Sequence, residues 1–149
     1  MTACRSILSV AVATFAFLTL AGCEAKTQPI RYGQDECTGC KMTLANPRYG
    51  AELITAKGKV LKFDDLNCLL TFQKQAATTP APRAFIIDRN HANIFLPAEQ
   101  TYFLQHERLR TPMGSHLAAF ATETELETAR SQLGGGGKIL RWADVLRIP

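Results

Sequence analysis

The sequence predicts an α+β domain built from two similar ββαβ-type halves. Three observations predict it. Short apolar runs of strand length are bounded by Gly, Pro and Asn, as strands usually are. Two longer stretches carry apolar residues at helical spacing, each opening on a residue suited to capping. The order strand, strand, helix, strand then occurs twice between residues 51 and 140. Residue similarity between the halves is faint, so the repeat rests on element order.

In chain order, residues 51–55 and 59–63 read as a hairpin around Ala56-Lys57-Gly58. Asp64 is the expected N-cap of a helix running to about Lys74, with Asp65 favourable in its first turn. Leu66, Leu69, Leu70 and Gln73 fall on one face of that helix and Phe72 broadens it. A Pro/Thr loop at 78–82 leads to the apolar run 84–87, which reads as a central strand. In the second half, residues 92–96 and 101–105 read as two strands separated at Pro97. Small residues at 112–116 precede an apolar run ending at Phe120. Thr124 is the expected cap of a helix over about 125–133, with Leu126, Ala129 and Leu133 on one face. Glycines 134–137 end it, because glycine tolerates the positive φ of a helix C-cap. Residues 138–140 read as a strand and 142–146 as a short closing helix.

The chain before residue 37 reads differently. Arg5 and the apolar run 7–20 have the charge and length of a secretory signal, shorter than the roughly 20 apolar residues of a membrane span. The run ends in Leu20-Ala21-Gly22-Cys23, which resembles a bacterial lipobox. Residues 1–22 are therefore expected to be removed and Cys23 to be lipidated. Glu24 after the anchor favours a periplasmic face of the outer membrane over the inner one. Residues 23–36 read as a flexible polar tether and 37–149 as the domain. Losing Arg5 and no acid leaves a net charge of +3, from +4 for the whole chain, too slight for a nucleic-acid partner. The thiols remaining after lipidation are Cys37, Cys40 and Cys68. An odd count excludes a fully paired disulfide framework.

Cys37-Thr38-Gly39-Cys40-Lys41-Met42 sets two thiols and a thioether within six positions. Soft sulfur donors select ions such as Cu(I). A dithiol pair also suits a reversible disulfide or half of a zinc site, but zinc wants four N/S ligands and no second C-x-x-C is present. The thioether of Met42 points to copper. Cys68 lies on the apolar face of the first helix, where burial as a small hydrophobe competes with a ligand role. Met113, beside Gly114 and Ser115 in a loop, is a second candidate thioether, and His116 a candidate imidazole. No nucleophile–base pair and no phosphate-binding loop is evident, so an enzyme is not expected.

The lipobox, C-x-x-C-x-M, Lys62-Phe63-Asp64-Asp65-Leu66-Asn67-Cys68 and Pro112-Met113-Gly114-Ser115 occur here in one order. With them the chain resembles the NosL family, copper-delivering lipoproteins that accompany bacterial nitrous oxide reductase in denitrification. The resemblance runs over essentially the whole mature chain. It implies a fold of two ββαβ-type halves similar to organomercurial lyase. It also implies a periplasmic Cu(I) carrier that serves an ABC-type membrane complex and, directly or through it, nitrous oxide reductase. On this resemblance Cys37, Cys40 and Met42 match the motif expected to hold copper, and Met113 matches a methionine of the second half. The chain departs from the family pattern at Asn67, commonly glycine, at Leu69, often methionine, and at His116, usually a small residue. The N-terminal cluster is therefore the main expected site. A membrane-tethered thiol-disulfide oxidoreductase using Cys37 and Cys40 is the rival expectation.

Overall fold

The computed structural model describes residues 26–76 and 80–149. The expected signal segment, Cys23 and part of the 78–82 loop lie outside them. Strands β1 (Ala51–Ile54) and β2 (Val60–Phe63) form the expected hairpin, with Ala51 opposite Phe63 and Ile54 opposite Val60. The turn between them needs a positive φ, which Gly58 supplies at +78°. Helix α1 (Leu66–Gln75) follows, then β3 (Arg83–Ile87), which pairs antiparallel with the other side of β1.

The second half repeats this. Strand β5 (Tyr102–Gln105) is central, flanked by β6 (Leu117–Phe120) and, after helix α2 (Glu123–Gln132), by β7 (Lys138–Leu140). The sheets are thus ordered β2-β1-β3-β4, with β4 at Phe95–Pro97, and β6-β5-β7, and in each half the first strand sits between the second and third. A short helix α3 (Trp142–Val145) closes the chain. The sheets meet where Asp88 bridges Ala119 in parallel and the Arg89 N–H donates to the Ala119 carbonyl at 2.9 Å. One apolar core spans both halves, joining Leu53, Phe63 and Leu69 to Phe103, Leu117 and Val145. A smaller cluster, with Leu104, Phe120 and Leu126, lies under α2.

Four expectations shift. The run 92–96 does not open the second half. It feeds β4 (Phe95–Pro97), a fourth strand of the first sheet, paired with β3. Pro97 has no N–H to give a further neighbour, which suits this edge position. The second hairpin is β5–β6, and its long 106–116 connection hid it from short-range turn signals. Both helix caps also move. Asp65 caps α1 in place of Asp64, with extended φ and ψ of −150° and 153°. Thr122 caps α2 in place of Thr124, and Glu125 completes a capping box.

The fourth shift concerns the tether. Residues 28–36 lie against the first sheet. Ile30 is 2% exposed, and its N–H donates to Asn93 Oδ1 at 2.8 Å. The Gln28 N–H donates to Glu52 Oε2 at 3.0 Å. Asp35 accepts from Arg31 and, at 2.6 Å, from Lys62. The Arg31 main-chain N–H and the Lys62 ammonium hold its carboxyl well below the usual carboxylate range. The segment stays because strand β1 is buried on both faces: Ala51 and Leu53 face the core, and Glu52 faces the strap.

Candidate metal centre

Residues 36–43 form a small hairpin anchored on the edge of the first sheet. Glu36 bridges Thr43, the Cys37 N–H donates to the Met42 carbonyl at 2.8 Å, and Lys41 donates to the Cys37 carbonyl at 3.0 Å. The chain reverses at Lys41, whose φ is +64°. The Thr38 N–H donates to the Lys62 carbonyl at 2.7 Å, so the C-x-x-C turn covers the free edge of β2.

Gly39 sets how closely that turn approaches α1. A Cβ there would lie 3.3 Å from the Cys68 carbonyl oxygen and 3.5 Å from Cys68 Cβ. A side chain there would require the turn and the helix to give by a few tenths of an ångström. With glycine in place, the sulfurs of Cys37, Cys40 and Cys68 all lie within 4.8 Å of one another. No disulfide joins them. Cys37 is fully buried, Cys68 nearly so, and Cys40 is half-buried. Cys40 and Cys68 open on a cleft of about 420 Å³, whose walls include Thr38, Asn67, Thr71, Phe72 and Met113.

The three thiols are electrostatically unequal. Burial opposes ionisation of Cys37, but the main-chain N–H groups of Cys40, Asp64 and Gly39 and the Cys40 thiol direct hydrogen bonds at its sulfur. The balance lowers the Cys37 pKa below the ordinary thiol value. Cys68 is pushed up instead, by burial first and then by negative charge on Cys37. The cluster therefore sets the thiol that ionises more readily, Cys37, beside one whose ionisation burial and neighbouring charge oppose, Cys68.

The remaining expected residues separate. Met113 lines the cleft, packs against the main core, and is held by α1: its N–H donates to Asp65 Oδ2 at 2.8 Å and its carbonyl accepts from Asn67 Nδ2 at 3.0 Å. Met42 is 55% exposed and outside the cleft lining; its main chain closes the Cys37 turn while its side chain faces solvent. His116 is also outside the lining. Its Nδ1 is 2.9 Å from the Leu109 carbonyl, in the loop leading to β6. Cys68 is both core and cluster: it belongs to the apolar core and presents its sulfur to the pair. Its sequence signal was an unpaired third thiol at a helix start, which burial explained equally well.

Two cysteines and a methionine lining one cleft, with the buried Cys37 sulfur within 4.8 Å of both thiols, on a repeated ββαβ scaffold, define a small sulfur-rich domain of metal-binding type. A profile of the NosL family matches residues 32–147, and the chain belongs to that family. No curated protein sequence matches it. Among solved structures, the copper chaperone NosL from Shewanella denitrificans has the same fold, with a TM-score of 0.70. It is 21% identical, and the match covers 83% of this chain and 98% of that one.

Proposed function

We propose that the protein is a copper-binding chaperone that carries Cu(I) on the sulfurs of Cys37, Cys40 and Cys68. The carrying observation is the convergence of these three sulfurs within 4.8 Å beside an open cleft. NosL membership and the shared fold with a copper chaperone support the same reading. The donor set is soft throughout, which suits Cu(I) over hard divalent ions. Cu(I) is cargo here, and the residues' work is to take it and release it. Cys37 offers a sulfur whose ionised form main-chain N–H groups favour. Cys68 gives up its proton when positive charge offsets the burial and the negative neighbour that oppose its ionisation. Half-buried Cys40 leaves one donor where a partner's ligands can attack and draw the ion off by exchange.

The proposed recipients are the ABC-type complex of the nitrous oxide reductase maturation system and, through it or directly, the reductase. A lipid on Cys23 would hold the protein at the periplasmic face of the outer membrane. The strap ordered from Gln28 onward would then keep the cleft close to that anchor.

A redox role for Cys37 and Cys40 is less well supported. Dithiol exchange needs only the C-x-x-C pair, whereas a third sulfur, Cys68 in the first turn of α1, lies within 4.8 Å of both. Anaerobic competition of the reduced protein against cuprous chelators tests the proposal. Tight one-to-one binding lost on changing Cys37, Cys40 or Cys68 to Ser is expected. Binding no tighter than a weak chelator would remove it.

A further inference from the structure

The geometry points to Asp65 as the residue that positions Met113 beside the thiols, with one carboxylate both capping α1 and fastening the second half's loop over the cleft. Asp65 is 1% exposed. Its Oδ1 accepts the Asn67 N–H at 3.0 Å, which is the N-cap bond of α1. Capping uses only that oxygen. The other reaches away from the helix and accepts the N–H groups of Met113 at 2.8 Å and Ser115 at 3.5 Å. One residue into the helix, the Asn67 carboxamide donates to the Met113 carbonyl at 3.0 Å. Both main-chain polar groups of Met113 are thus held by residues one and three positions before Cys68.

The loop's other hydrogen bonds are internal. Gly114 N–H donates to the Thr111 carbonyl, Ser115 Oγ lies 3.3 Å from Thr111 Oγ1, and the His116 N–H donates to Thr111 Oγ1. They shape the loop without hydrogen-bonding it to the first half. Its backbone turns through positive φ at Gly114 (+72°) and His116 (+54°), and a Cβ on Gly114 would meet nothing within 4 Å. Asp65 and Asn67 therefore supply the polar attachment that holds Met113 in the cleft wall. This inference rests on the Cu(I) reading above, with Met113 as the further soft donor expected from the sequence, and adds to it that Asp65 holds Met113 in place without touching the ion.

Asp65→Asn separates this role from helix capping. The Asn side-chain oxygen can still accept the Asn67 N–H, but its NH₂ group would face the Met113 and Ser115 N–H groups, donor against donor. In anaerobic Cu(I) competition with the reduced full-length protein, D65N should weaken binding about tenfold, the scale for losing a partner that orients a ligand. Met113→Ala should weaken it equally, and D65N/M113A should bind no more weakly than M113A alone. X-ray absorption at the copper edge should show one sulfur neighbour fewer in D65N and in M113A than in the parent. A general loss of stability would not produce that signature. Unchanged affinity in D65N, additive losses in the double variant, or an unchanged sulfur count overturns the inference. Should D65N not fold, Asn67→Ala enters the same cycle with the same expectations. Failure of the parent to hold Cu(I) removes the carrier reading and this inference together; failure of the cycle alone removes only the inference.

Discussion

The two halves share strand order and handed-on topology but divide their labour. In each, the first strand is central and a ten-residue helix joins the second strand to the third. Helix α1 buries Leu66, Cys68, Leu69 and Leu70, whereas α2 buries only Leu126. The three thiols of the cluster belong to the first half, and the second sends one loop to meet them. The ββαβ scaffold is therefore indifferent to the chemistry. What makes a site is a hairpin added ahead of β1, a cysteine at the start of α1, and a glycine that lets the two touch.

Breaking the chemistry in the first half should have the largest effect. Cys37→Ser removes the most readily ionised sulfur of the cluster and should weaken Cu(I) binding by more than the roughly 10–100-fold expected for losing a supporting residue. Chelator competition measures it, and near-parental affinity would shift the site away from the cleft. The matching lesion in the second half is Leu126→Ala, which empties the single buried anchor of α2. It should cost about 2–5 kcal/mol of folding stability in urea titration. The fraction that remains folded should bind copper as the parent does, because Leu126 lies in the smaller cluster away from the thiols.

The same contrast explains what the sequence disclosed. Helical spacing found both helices, and the alternation of elements found the two halves, because those signals are local. The pairing of β5 with β6 was obscured because eleven residues separate them, from His106 to His116, and no short turn announces the hairpin. Residues 28–36 looked like a tether because they are polar, yet their polar groups find partners on a strand buried on both faces. In the site, Cys37 and Cys40 were legible from spacing. The convergence of Cys68 and Met113 was not, since it depends on the close packing of Gly39 against Cys68 and on the Asp65 and Asn67 contacts, which are tertiary facts. Met42, adjacent in sequence, faces solvent because the turn at Lys41 redirects the chain.

Glu52 sharpens the comparison in another way, since it lies under the strap, a feature the second half lacks among the described residues. Burial pushes its carboxyl up to about 7 from an ordinary 4.5, against the Gln28 N–H and the Lys62 charge, which favour ionisation. The native state then binds more protons than the unfolded chain between those values. The associated stability is full below pH 4.5 and is lost as pH rises towards 7, by about 3 kcal/mol for a shift of this size. Asp64, also raised by burial, has the same sign, and Asp35, lowered, loses its contribution only in acid. Glu52→Gln keeps an acceptor for the Gln28 N–H and removes the titration. Urea midpoints should therefore fall between pH 5 and 7 in the parent and fall less in E52Q; parallel curves would mean that the strap relaxes to hydrate Glu52.

The smallest effect separates capping from function. Thr122 and Glu125 form a reciprocal capping box at the start of α2, with Thr122 Oγ1 accepting the Glu125 N–H at 3.2 Å and Glu125 Oε2 accepting the Thr122 N–H at 3.1 Å. Thr122→Ala should cost about 1 kcal/mol of stability, as lost N-caps usually do. It should leave Cu(I) affinity unchanged, because nothing beyond α2 depends on that hydroxyl. Asp65 occupies the corresponding position in the first half and also caps a ten-residue helix, yet its second oxygen is committed to the Met113 loop. If T122A lowered copper affinity as D65N is expected to, the halves would be coupled through general stability, and the special standing of the Asp65 cap would be lost.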